Sequence, residues 1–484
     1  MGSLFEQLVQ YKEEDYYPMH MPGHKRNTGL VKNFAPYEID ITEIDGFDNL
    51  HHAEGIIRDL TKKVELLYSS KNSFLLINGS TVGILAGISA AVNKGDRILM
   101  ARNCHKAVYN AVILNELQPQ YIYPQMDGCY GIHGGISPEK IKEMLITYPD
   151  TKLVVLTSPT YEGIISNIEE IVRICHAKNI PVLIDEAHGA HLGFDSSFEK
   201  NSVSYGADIV IHSIHKTLPA FTQTAIMHVN GDRIKKNRVE QFLGIYETSS
   251  PSYLLLAGID QCMTLLENSE QLFHDYKEKL EEFYHSMEGL KSLKVMRASD
   301  YDMTDRKEHG IYAIDPSKIV ISVKNTNITG KELANRLLHE YKIQLEMSSM
   351  TYALAMTSIC DTKQGFERLK NALLEIDATL TQVTKEEFHH QESLCCKMRP
   401  YDAIHMESER IEIKDAKGRI ASENIIIYPP GIPVVVAGEV YDQRVIQSID
   451  EALKGKLEVL GVVQNQDEFE QQKKEAYYVA VIKE

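Results

Sequence analysis

Pro181-Val182-Leu183-Ile184 runs apolar into Asp185-Glu186-Ala187-His188-Gly189-Ala190-His191, and Ile209-Val210-Ile211-His212 runs into Ser213-Ile214-His215-Lys216. Each is a short β-prone run that ends abruptly in polar, chemically capable side chains. Runs apolar along their whole length, rather than at alternate positions, read as strands buried on both faces, as in a parallel sheet covered by helices. The space between Asp185 and Lys216 leaves room for one helix and one further strand, so the two ends can be neighbours on one sheet edge.

The same rhythm extends outward. Ser73–Ile77, Arg97–Met100, Tyr121–Tyr123 and Leu153–Thr157 are further strand candidates, alternating with helical patterns at Val82–Val92, Lys106–Asn115, Pro138–Thr147 and Ile168–Ala177. Strand–helix alternation of this kind predicts an α/β domain with a mostly parallel sheet. Ser252–Leu293 predicts one or two long helices. Beyond about residue 316 the pattern becomes mixed: strands at Ile319–Val323, Met350–Ser358, Asn424–Tyr428 and Val434–Val436, and helices at Gly330–Lys342, Gly365–Val383 and Val445–Lys454. The expected organisation is an N-terminal arm over 1–55, a large α/β domain over 56–315 and a smaller α+β domain over 316–484.

The chain has 484 residues and a formal net charge of −17. That excess of acid argues against nonspecific binding to nucleic-acid backbone and against a polybasic membrane anchor. Seven cysteines without a CxxC pair suit a reduced, cytoplasmic protein. The first residues lack the apolar core of a secretory signal, and no apolar stretch is long enough to span a bilayer. The Gln464–Lys474 stretch, rich in Gln and Glu, matches no assignable element.

Four features sit at the carboxyl ends of successive predicted strands. Lys216, just past a buried strand, can be desolvated into a neutral amine for Schiff-base chemistry, although an exposed loop lysine reads the same way alone. Asp185 can hold a protonated ring nitrogen or merely cap a helix. A metal reading of Asp185, His188 and His191 lacks the HExxH pattern and a second ligand cluster, so no metal is expected. Gly79-Ser80-Thr81 at a helix start suits a phosphate, which meets free N–H groups and the helix dipole there. His105 can stack on a flat ring or simply open its helix. Together, a phosphate site, a flat stacker, an acid for a ring nitrogen and a lysine for a carbonyl describe pyridoxal 5′-phosphate (PLP).

On these and further motifs the chain resembles the ornithine/lysine/arginine decarboxylase family of fold-type I, aspartate aminotransferase-like PLP enzymes. The motifs are His20-Met21-Pro22-Gly23-His24-Lys25, Asp48-Asn49-Leu50-His51-His52, Asn78-Gly79-Ser80-Thr81, Arg102-Asn103-Cys104-His105-Lys106, Ser158-Pro159-Thr160-Tyr161-Glu162-Gly163, Asp185-Glu186-Ala187-His188, Ser213-Ile214-His215-Lys216-Thr217-Leu218 and Tyr428-Pro429-Pro430-Gly431-Ile432-Pro433. The length is like that of the smaller members, which lack an N-terminal wing domain. Thr217-Leu218-Pro219-Ala220 departs from the family by carrying Pro where some members have Gly.

The resemblance implies a role for each residue. Lys216 would carry the cofactor, Asp185 would pair with the pyridine nitrogen, and His105 would stack on the ring. Ser80, Thr81 and Ser213 would bind the phosphate, with Gly79 permitting close approach, and His188 would lie beside the ring. His215 would face the substrate carboxylate or supply a proton. The site would form at a homodimer interface, with Thr248, Ser249 and Ser250 reaching the neighbouring site's phosphate. The implied reaction is decarboxylation of a basic L-amino acid within polyamine biosynthesis. Arginine, giving agmatine, is favoured over lysine or ornithine. Another fold-type I activity, an aminotransferase or carbon–sulfur lyase, and a non-catalytic regulator remain alternatives. A carboxylate at the far end of the pocket would recognise the cationic side chain. Asp48, Glu162 and Glu439 are candidates, and the sequence does not choose among them.

Overall fold

The computed structural model describes residues 13–27, 29–30, 36, 39–44, 47–383, 393–428, 431–455, 457–464 and 476–483. Its centre is a seven-stranded sheet built from β1 (Asn72–Leu76), β2 (Arg97–Ala101), β3 (Gln118–Ile122), β4 (Leu153–Thr157), β5 (Val182–Asp185), β6 (Ile209–His212) and β7 (Ala225–Val229). The spatial order is β1-β7-β6-β5-β4-β2-β3. All neighbours are parallel except β7, which runs antiparallel to both β6 and β1. The sheet is therefore mostly parallel, as expected. The exception, β7, was not among the predicted strands.

Burial on both faces explains the apolar runs. Leu76, Ala225 and Met227 face a core built with helices α1 (Gly79–Ala91) and α2 (Lys106–Leu114) and with Ile168–His176. Leu75, Ile77 and Ile226 point the other way, into a core shared with Ile56–Tyr68, Tyr253–Leu266 and Glu270–Ser286. Every residue of β5, β6 and β7 is buried. The register aligns the strand ends: Asp185 lies opposite Thr157 on one side and Ile211 on the other. The polar residues that follow β4, β5 and β6 consequently emerge level with one another along one edge, where open α/β sheets bind ligands.

A second, antiparallel sheet contains Lys294–Val295, Lys318–Ser322, Tyr352–Met356 and Met347–Ser348. From the N-terminal segment, Tyr17–Met19 pairs in parallel with Ile343–Leu345. The predicted helix over 365–383 spans Lys363–Asp377 instead. Its start is set by Thr362, whose hydroxyl accepts from Gly365 N–H. At its end Asp377 turns its carboxylate to the N–H groups of Lys291, Ser292 and Leu293 at 2.7–2.8 Å. Thr381 and Gln382 then pair with Asn327 and Thr326 rather than continuing the helix.

The last part of the chain forms two small antiparallel sheets, Ser408–Glu412 with Tyr477–Ile482 and Val462–Gln464, and Ile432–Val435 with Ile425–Tyr428 and Glu458–Leu460. The helix Gln443–Lys454 packs with them. Pro429 and Pro430, and the Gln/Glu-rich stretch from residue 465 to 474, lie outside the described residues. Among the described residues no helix is long and apolar enough to cross a membrane.

Candidate active site

The carboxyl edge of the sheet opens into a cavity of about 240 Å³. Its walls hold Gly79, Ser80 and Thr81 after β1, His105 after β2, Asp185 and His188 after β5, and Ser213, His215 and Lys216 after β6. Nine of the twelve predicted site residues thus converge on one space. Thr248, Ser249 and Ser250 do not line it. They follow Glu247, which accepts from Ile77 N–H at 2.8 Å just before α1, and His51 Nε2 meets Thr248 O at 2.9 Å.

Lys216 sits in the short helix Ile214–Thr217 that directly follows β6. Burial pushes its ammonium pKa below the ordinary lysine value, and Asp185 and Glu346 offset only part of that. Its Nζ lies 3.0 Å from His188 Nε2. Burial, then the charge of Lys216, holds His188 well below the usual imidazole range, so its neutral ring accepts from Nζ. His105 caps α2, its Nδ1 accepting from Ala107 N–H at 3.2 Å, and burial lowers its pKa to about 4. His215 is likewise lowered to about 4 by burial. Its Nδ1 donates to Thr224 O at 2.8 Å, which leaves Nε2 as the free acceptor. Asp185 is 3% exposed, and burial raises its pKa, opposed by Lys216. One of its oxygens accepts from Ala187 N–H at 3.2 Å. Oδ2 has no hydrogen-bond partner among the described residues.

Gly79 adopts φ +77° and opens α1, the left-handed conformation that glycine takes without strain. The first-turn N–H groups of α1 have no intrahelical partners. Ser213 Oγ donates to Ser80 Oγ at 2.9 Å, gathering two hydroxyls at this end.

The residues fit PLP on observations independent of any bound molecule. An anion site at a helix start shares the cavity with a desolvated lysine and a buried carboxyl group. His188 Nδ1 and Asn103 Oδ1 are buried on the cavity wall without partners, which a folded protein rarely tolerates unless something fills the space. Such a site on a mostly parallel sheet defines a fold-type I PLP-dependent enzyme.

The comparisons agree. The profile for "Orn/Lys/Arg decarboxylase, major domain" matches residues 2–368, and that for "Orn/Lys/Arg decarboxylase, C-terminal domain" matches 381–483. Arginine decarboxylases of Halalkalibacterium halodurans and Bacillus subtilis are each 30% identical over 95% of this chain, covering 94% and 95% of their own lengths. The solved lysine decarboxylase A from Pseudomonas aeruginosa superposes with a TM-score of 0.75 at 19% identity, over 99% of this chain and 80% of that one. The chain belongs to the Orn/Lys/Arg decarboxylase family.

Several structural contributors were given no role from the sequence, although Asn103, Thr160, Ala187 and Ile432 lie within the quoted motifs. Asn103, His133, Thr157, Thr160, Ala187 and Ile432 also line the cavity. Ile432 comes from the C-terminal part of the chain. It is held there through Arg102, which donates to Pro433 O, to Val434 O and, at 3.1 Å, to Glu439 Oε2. His191, weighed above as a metal ligand, pairs instead with Asp315 at 3.2 Å, and Asp315 also holds Lys318 at 3.2 Å. Burial pushes the Asp315 carboxyl up, but Lys318 and His191 outweigh it and hold the group well below the usual carboxylate range. Lys318 Nζ in turn donates to His188 O at 3.3 Å, tying the His188 loop to the second sheet. Cys104 is fully buried beside the site, and its thiol is pushed up to about 12 by burial, so it is an inert packing group.

Of the three carboxylates considered for the substrate side chain, two are committed elsewhere. Asp48 accepts from the N–H groups of Asn49, Glu54, Gly55, Ile57 and Arg58. Glu439, 1% exposed, is sealed against Arg102. Glu162 alone of the three lines the cavity.

Proposed function

We propose that the protein decarboxylates L-arginine to agmatine and CO2, with one proton consumed per turnover. The observation that carries the reading is the desolvated Lys216 amine facing a cavity that also holds Asp185, His105 and a helix-start anion site. The arginine decarboxylase relatives support the choice of substrate.

When bound, PLP supplies an electron sink for the pair left on Cα as CO2 departs. Lys216 Nζ would hold the cofactor's carbonyl carbon, and Asp185 would hold the proton on its ring nitrogen. His105, neutral at pH 7, would pack flat on the ring without adding charge. Gly79, Ser80, Thr81 and Ser213 would anchor the phosphate and so set the ring's orientation. Once substrate has displaced it, Lys216 Nζ, kept basic enough by Asp185 and Glu346, would deliver the proton that Cα requires. His215 Nε2 would face the carboxylate side and hold or relay a proton there.

We further propose a cytoplasmic homodimer that feeds polyamine synthesis, in which Thr248, Ser249 and Ser250 complete the phosphate site of the second copy. None of the three lines the cavity of its own chain, which supports this placement.

The test is purified enzyme offered arginine, lysine and ornithine in parallel, with CO2 and amines quantified. Agmatine and CO2 in equal amounts is the expected result. A keto acid without CO2 would assign the chain to another fold-type I reaction.

A further inference from the structure

A basic amino acid brings a second positive charge into the cavity, remote from the reacting carbon, and burying it requires a counter-charge. Asp185 and Glu162 are the two carboxyl-bearing residues on the cavity wall. Asp185 faces Lys216 and is committed to the cofactor end. Glu162 follows β4 and is 3% exposed. Its Oε1 accepts from the Tyr352 hydroxyl at 2.6 Å, and among the described residues its Oε2 has no partner.

No protein cation pairs with Glu162 among the described residues. His133, on the same wall, is close enough to feel its charge. Burial nevertheless keeps the His133 ring below the ordinary imidazole pKa, and His133 Nδ1 itself has no partner. A buried carboxylate pinned at one oxygen, open at the other and beside a neutral imidazole lacks its counter-ion. Glu346 does not line the cavity, and each of its oxygens already accepts a hydrogen bond, from the Tyr161 hydroxyl at 2.6 Å and from Met21 N–H at 2.8 Å.

We infer that Glu162, positioned by Tyr352, is the specificity residue that binds the terminal guanidinium of the substrate. The inference rests on the decarboxylase reading above and adds to it the group that selects a cationic side chain. A guanidinium presents a planar fork of N–H donors that one carboxylate oxygen and an adjacent imidazole nitrogen can share, and a neutral side chain of the same shape gives the carboxylate no charge partner. Tyr352 fixes the rotamer of the carboxylate and is a positioning residue.

The experiment compares holoenzymes of the wild type, Glu162→Gln and Tyr352→Phe. CO2 release is measured from arginine and from citrulline, its uncharged isostere. Glu162→Gln is expected to raise KM for arginine by about 100-fold or more, with a smaller effect on kcat. The citrulline constants should change far less, and the cofactor's absorption band should keep its position, so the arginine-to-citrulline preference collapses. Tyr352→Phe should move the preference in the same direction by roughly 3- to 10-fold. An unchanged preference in both variants, or an equal loss on both substrates, overturns the inference. If Glu162→Gln does not retain cofactor, the Tyr352→Phe preference decides. A wild-type enzyme that releases no CO2 from arginine, lysine or ornithine overturns the decarboxylase reading itself, an outcome visible before any variant is made.

Discussion

The amide of Gly23 donates to the carbonyl of His215 at 2.7 Å, so the N-terminal segment is clasped onto the turn that carries Lys216. Lys25 locks the clasp from the other side, its buried Nζ donating to His20 O at 2.8 Å and Met356 O at 2.6 Å. A Cβ on Gly23 would sit 2.7 Å from Leu218 N and 2.8 Å from Leu218 O and Thr217 C, all backbone atoms that cannot swing aside. Gly23→Ala should therefore shift the Lys216 turn. CO2 release is expected to fall at least about 10-fold, since a displacement of about 1 Å at a reacting group is costly. Steady-state kinetics alongside the cofactor's absorption maximum would check it, and wild-type rates in the variant would show the clasp to be dispensable.

Lys216→Ala removes the cavity amine proposed above to hold the cofactor covalently. The expected loss in CO2 release is at least about 1,000-fold. Borohydride treatment followed by peptide mass analysis should find the cofactor mass on the Lys216 peptide of the wild type and nowhere in the variant. A labelled peptide elsewhere would place the attachment on another lysine.

Acidification should cost the cofactor-free protein stability through His105 and His215. Both have pKa values lowered from 6.5 to about 4 by burial. Above pH 6.5 each is neutral whether folded or unfolded, and the fold loses nothing. Between 6.5 and about 4 the unfolded chain binds protons that the fold refuses, so stability falls as pH drops and levels out below 4. Asp185, Asp361, Glu247 and Glu439, whose pKa values are raised, work in the opposite sense at the acid end. The clean measurement is a difference: thermal midpoints from pH 7.5 to 5 should fall less steeply in a His105→Asn/His215→Asn double variant than in the wild type. Parallel slopes would contradict the assignment.

Glu439 neutralises Arg102 where both are almost fully buried, at 1% and 3% side-chain exposure. Glu439→Ala strands the guanidinium, and the expected destabilisation is roughly 3–5 kcal/mol by denaturant titration. Replacing both partners, as Arg102→Met/Glu439→Leu, should recover most of it, because neither residue then carries a buried unpaired charge. The two results together separate charge compensation from simple packing.

Much of the central sheet was legible because a strand covered on both faces must be apolar throughout, as Val182–Asp185 and Ile209–His212 are up to their last residue. The cofactor end was legible for a related reason: residues that follow successive parallel strands must share an edge. The substrate end was not. Glu162, Asp48 and Glu439 are equivalent as letters. What separates them is that Asp48 spends its oxygens on its own backbone and Glu439 meets an arginine 337 positions away. The clasp at Gly23 was quoted as a motif, but its partner His215 lies far along the chain, so the contact has no local signature. Ser408–Glu412 alternates no apolar residues and is exposed over its first half, so its pairing with Tyr477–Ile482 comes from the partner strand's pattern, not its own.

The pairing of Arg102 with Glu439 also has a consequence in time. Arg102 is synthesised 337 residues ahead of Glu439, the carboxylate it pairs with among the described residues, a lag of roughly 15–70 s at ordinary synthesis rates. Until Glu439 has been made, burying the Arg102 guanidinium in its native place would cost several kcal/mol, because the carboxylate that offsets its desolvation does not yet exist.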